Sequence, residues 1–168
     1  MKNPYLLLFM LGIGQLYGQA TINESAPVQT STTQVRAPNG LASHTTLRAH
    51  YVVYQSELSA IPIGAKIISA GFVYTAGADV AATGNLKFYM ENTASSTNTK
   101  STTWATAITG MDTLYDGIYT LPTTAVNTSL PLADTFTYNG NGIQIAYEYL
   151  ASNFAATPAT YAASTASS

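Results

Sequence analysis

Two histidines, His44 and His50, and 8 Asp and Glu residues set the acid–base repertoire of this chain, which contains no cysteine. A serine nucleophile needs a base beside it. No Gly-x-Ser-x-Gly elbow is present, and His50 falls on the polar side of an alternating segment, where it reads as a surface or cross-strand residue. The missing thiol excludes cysteine nucleophiles and Cys-ligated zinc, and two histidines alone make a poor zinc set. Glycoside hydrolysis needs two carboxyl groups roughly 5–9 Å apart. Glu91 and Glu148 each lie on an alternating segment, away from its most apolar side. They would approach one another only if those segments pair; as solvated polar-face residues they need no such role.

Calcium takes six to eight oxygens, several of them anionic. Asp112 and Asp116, with backbone carbonyls near Asn139–Asn141, are the candidate ligands for a structural calcium ion. Asp116 is also, more simply, the first residue of an Asp116-Gly117 turn. The 12 tyrosines and single tryptophan suggest a second chemistry. Exposed rings stack on the C–H faces of sugars, and Asn, Gln and Thr complete the hydrogen bonds. Trp104 follows a Ser/Thr/Asn-rich stretch, and Tyr54, Tyr115 and Tyr119 lie near expected turns, so these four are the candidate ligand platforms. The plainer reading is structural: tyrosine is a good strand former, and a tryptophan under a loop serves as a core plug.

These residues must be positioned by strands. Leu47, Ala49, Tyr51 and Val53 alternate with Arg48 and His50; Leu86, Phe88 and Met90 with Lys87, Tyr89 and Glu91; Ile143, Ile145, Tyr147 and Tyr149 with Gln144, Ala146 and Glu148. Period two marks half-buried strands. Lys66–Thr75 is apolar on both sides and reads as a central strand. Pro131 marks residues 126–132 as an edge. Pro38-Asn39-Gly40 and Asn139-Gly140-Asn141-Gly142 are turn signals, and Asp116-Gly117 predicts a hairpin turn between strands at 112–115 and 118–121. Residues 104–108 could be extended or helical. The pattern predicts an all-β, antiparallel β-sandwich, jelly-roll-like, with about eight or nine strands.

The N-terminus has a charged start at Lys2, an apolar run over residues 4–17 and small residues at Gly18 and Ala20. That is the layout of a secretory signal peptide. The run is shorter than the roughly 20 apolar residues of a membrane span, so no membrane span is expected in the mature chain. The expected organisation is a signal peptide over 1–20, a polar leader over 21–33, a β-sandwich over 34–152 and a linker or truncated tail over 153–168. One domain of about 150 residues remains, large enough for a core. Charged residues make up 8% of the 168-residue chain, and 6 Lys and Arg, Lys2 among them, face 8 acids. With no basic patch, nucleic acid is not an expected partner.

Several segments carry a resemblance. They are Val35–Gly40 with Ser43–Arg48, Gly64–Phe72, Asn85–Thr93, Tyr115-Asp116-Gly117 and Phe136–Gly140. In order and spacing, over residues 34–150, the chain resembles the N-terminal β-sandwich modules of secreted and surface proteins of Bacteroidetes, of the type exported by the type IX secretion system. The resemblance implies a jelly-roll-like sandwich, an extracellular or cell-surface location and a non-catalytic adhesive role, with glycans or surface proteins as partners. It supplies no catalytic residues. Separately, Asp112-Thr113-Leu114 resembles the acid–hydroxyl–apolar acceptor pattern of the O-glycosylation system found in Bacteroidetes, which makes Thr113 a candidate acceptor. The expected function is a secreted, non-enzymatic module for adhesion or recognition. The alternative is an accessory or spacer domain of a larger secreted peptidase or glycoside hydrolase.

Overall fold

A computed structural model describes residues 37–94 and 100–161. The expected signal peptide and polar leader over 1–33, and the first residues of the expected sandwich, therefore lie outside the described residues. The elements are β1 (Thr46–Val53), β2 (Lys66–Ala70), β3 (Val73–Ala76), β4 (Thr83–Thr93), α1 (Trp104–Ala107), β5 (Asp112–Thr120), β6 (Val126–Asn127), β7 (Leu130–Thr137), β8 (Gly142–Ala151) and β9 (Thr160–Tyr161). The fold is all-β, antiparallel and sandwich-like.

One layer is a four-stranded sheet in the order β1-β8-β4-β5. Its inner face is built by the alternation expected from sequence. Leu47, Ala49, Tyr51 and Val53 of β1 stand opposite Tyr149, Tyr147, Ile145 and Ile143 of β8, which stand opposite Leu86, Phe88, Met90 and Asn92 of β4. Leu86, Phe88, Tyr147 and Tyr149 are at most 1% exposed, so this face is the dry side of the sheet. Burying each such side chain contributes about 1.5–3 kcal/mol.

Facing it are two small sheets, β2-β7 and β6-β3-β9. The strand expected over Lys66–Thr75 is broken at Gly71-Phe72, between β2 and β3, and its partner is broken at Thr128-Ser129, between β6 and β7. Thr128 spans the break. Its N–H donates to Phe72 O (2.8 Å), while its hydroxyl oxygen accepts from Phe72 N–H (2.9 Å) and lies 3.0 Å from Phe72 O. The approach requires glycine at 71, where a Cβ would sit 1.9 Å from Thr128 O. Phe72 then enters the core edge-on to Tyr147 (5.2 Å) and Tyr119 (5.8 Å), locking the layers together. A jelly roll has four strands in each layer; here the second layer is five short strands divided between two sheets.

Two expectations are corrected. Asp116-Gly117 is not a turn: β5 runs through it, with Asp116 opposite Lys87 and Gly117 opposite Leu86. The sandwich also does not end at Ser152. Asn153 Oδ1 accepts from Thr83 N–H, Ala155 N–H donates to Gly40 O and Ala159 N–H to Asn39 O, and β9 pairs with β3. Backbone bonding, not side-chain alternation, fixes this stretch, so period-two reading misses it.

Candidate functional site

The outer face of the four-stranded sheet carries the chemistry. Register places Arg48 of β1 opposite Glu148 of β8, Glu148 opposite Lys87 of β4, and Lys87 opposite Asp116 of β5. The result is a straight row of alternating charge crossing every strand. Arg48 Nε and Nη2 both converge on Glu148 Oε1, at 2.6 and 2.5 Å. Lys87 Nζ lies 3.0 Å from Asp116 Oδ2, and Asn85 Nδ2 donates to Asp116 Oδ1 at 3.2 Å. The hydrogen bond to Asp116 holds the Lys87 ammonium above its ordinary pKa. On one side of the row lie Thr46, Leu150, Asn85 and Ile118; Leu150 is 44% and Ile118 79% exposed.

On the other side the face is covered. The segment over residues 100–111, which includes α1, lies across it. Lys100 pairs with Glu91 at 2.7 Å and donates to Thr109 O. Trp104 meets Tyr89 edge-on at 6.1 Å, and the Arg48 guanidinium stands 5.5 Å from the indole centroid. Beneath lie buried outer-face residues: Val52, Tyr89, Gln144 and Ala146. Burial raises the Tyr89 pKa. A single helical turn is not stable alone, and α1 has no side-chain N-cap bond. It is held by the tertiary contacts of Trp104 and the buried Ala107.

The four candidate platforms do not gather on one surface. Trp104 is half-buried beside the charged row, with Arg48 against its ring. Tyr54 is 41% exposed just beyond the end of β1, where Glu57 Oε2 accepts from its backbone N–H. Tyr115 is half-buried on β5 and donates to Ile118 O at 2.9 Å. Tyr119 is corrected: it is a core residue, 5% exposed, its hydroxyl 3.3 Å from both Tyr74 Oη and Thr128 Oγ1, and it offers no face to a ligand.

The calcium candidates do not converge. Asp112 and Asp116 lie on one strand, about 13 Å apart along it, and Asp116 is engaged by Lys87 and Asn85. Among the described residues no three His, Cys, Asp or Glu side chains group as a metal site. Thr113 is exposed on β5, an edge strand of the sheet, next to buried Leu114. Strands β4 and β8 do pair, but Glu91 stands opposite Gln144, four residues from Glu148. That offset is about 13 Å along the strand, beyond the separation of a glycosidase pair.

Arg48, Lys87, Asn85 and Tyr89 are not singled out by sequence reasoning as site residues, and Glu148 enters it only as the partner of Glu91 in a hydrolytic pair. Their outward direction was legible from alternation; their alignment across four strands depends on register, which a single sequence does not carry. Comparison with protein-family profiles, with curated proteins and with solved structures gives no match.

Proposed function

We propose that this chain is a secreted, non-catalytic recognition module of adhesive type, and that its ligand is a glycan held on the outer face of the four-stranded sheet. The observation that carries this reading is the corner where the half-buried Trp104, braced by Arg48 and Tyr89, stands beside a row of partly exposed polar groups. An aromatic wall next to fixed hydrogen-bonding groups suits a sugar, which presents C–H patches and hydroxyls together. The carboxylates there are spent in ion pairs with Arg48, Lys87 and Lys100, an arrangement of contact rather than proton transfer. The N-terminal leader pattern and the resemblance to Bacteroidetes surface modules support an extracellular setting.

A glycan array with the intact protein, followed by titration calorimetry on the hits, tests the reading. Trp104→Ala is expected to weaken binding by about tenfold or more, the size of a hot-spot truncation. Trp104→Phe, which keeps a ring, retains part of it. If no glycan binds, or if a folded Trp104→Ala variant binds as the parent does, the reading fails.

A further inference from the structure

We propose that the row Arg48–Glu148–Lys87–Asp116 is an extended subsite for a linear, neutral polysaccharide that crosses the strands rather than running along them. This rests on the glycan reading above and specifies its ligand.

Neighbouring strands are about 4.8 Å apart, so four aligned side chains span about 14 Å. Successive polar groups thus recur at close to the length of one linked pyranose residue, and the row accommodates about three or four. Its composition selects the kind of sugar. Two cations and two carboxylates are paired in sequence, and the row has no net charge. An acidic or basic polymer would gain attraction from half of the groups and repulsion from the other half. A hydroxyl both donates and accepts, so a neutral sugar can bridge a carboxylate and its neighbouring cation without breaking the pair. Both Arg48 nitrogens take Glu148 Oε1, and with that side chain only 13% exposed the groups a ligand meets are chiefly Arg48, Lys87 and Asp116, 38–48% exposed. Leu150 and Ile118, flanking Asn85 in the adjacent row, supply apolar surface for the C–H edges of the chain. The segment carrying Trp104 bounds the row along one side. That shape suits internal units of a polymer, not a chain end.

The test uses the intact protein with cello-, xylo-, manno- and malto-oligosaccharides of one to six units, titrated calorimetrically. For the series that binds, affinity is expected to rise about tenfold from two units to four and then level off. It is expected to change by less than about twofold between low and high salt. The charge-neutral double variant Lys87→Ala/Asp116→Ala is expected to lower affinity for four units about fivefold or more and to flatten the gain from two units to four. Binding independent of chain length but lost in Trp104→Ala would overturn the row and leave the glycan reading standing. Preference for uronic or sulfated oligosaccharides, or a tenfold loss in salt, would overturn the neutral ligand. Failure of every saccharide to bind would overturn both proposals.

Discussion

The two faces of one sheet show how far a strand's alternate residues can diverge. On the inner face of β1, β8 and β4, ring and aliphatic side chains interlock with Phe72 and the facing layer, and nearly all exposure is lost. On the outer face the same strands carry a charged row in which Arg48, Lys87 and Asp116 stay 38–48% exposed and Glu148 13%. The inner face is held by many apolar contacts that share one core. Outside the part covered by residues 100–111, the outer face is held by a few polar contacts that are each worth little. Stability is thereby concentrated on one side of the backbone, and changes at the exposed positions of the other side cost the fold little.

The largest test of that division compares Phe88→Ala with Ile118→Ala. Phe88 is 1% exposed on the inner face and Ile118 79% exposed on the outer one. Truncating Phe88 is expected to cost about 3–5 kcal/mol through lost transfer energy and the cavity left behind. Truncating Ile118 is expected to cost less than about 0.5 kcal/mol. Urea denaturation followed by far-UV circular dichroism measures both. Equal costs would mean that the two faces are not distinguished as described.

Alkali offers a second, intermediate test, since it acts chiefly on inner-face tyrosines. Burial pushes Tyr51 and Tyr149 up to about 12 from an unperturbed value near 10, and raises Tyr74 and Tyr119 as well. A phenol whose folded pKa exceeds its unfolded one keeps its proton longer in the native state. Its stabilising contribution is complete below pH 10 and is lost as pH climbs from about 10 to about 12. The urea midpoint is therefore expected to be level from pH 7 to 9 and to fall steeply above 10. Tyr149→Phe reduces that slope by up to about one proton. Its hydroxyl has no hydrogen-bond partner among the described groups, so the variant is expected to lose no stability at pH 7.

What the sequence made legible follows the range of the interactions involved. Alternation is local, and it identified the inner residues of β1, β4 and β8 and the outward direction of Arg48, Lys87 and Glu148. Pairing is not local. Asp116-Gly117 has strong turn chemistry, yet the ladder with Lys87 and Leu86 draws it into a continuous strand. The break at Gly71 is fixed by Thr128, 56 residues from Phe72. The stretch after Ser152 looked like a linker because its order comes from backbone bonds to distant loops. The platform reading failed at Tyr119 for a related reason: an aromatic near an expected turn is a ligand platform only if the turn exists. Trp104 was found by type, but its neighbours could be known only once β1 and β4 were brought beneath it.

The smallest expected effect concerns the Arg48–Trp104 pair, where the charged row meets the covering segment. Arg48 joins the charged row to the covering segment, through Glu148 on one side and the indole on the other. A double-mutant cycle of Arg48→Ala and Trp104→Ala is expected to give a coupling of about 0.5–1 kcal/mol, the range of a partly exposed cation–π contact. Trp104 is the single tryptophan, so its emission reports this segment alone. Because α1 is one uncapped turn held by tertiary contacts, its fluorescence transition in urea is expected to precede the loss of strand signal. Arg48→Ala is expected to widen that gap without moving the strand transition by more than a surface ion pair allows, about 1 kcal/mol. Coincident transitions in both proteins would make the covering segment part of the cooperative core, and the outer face would then be no less structural than the inner one.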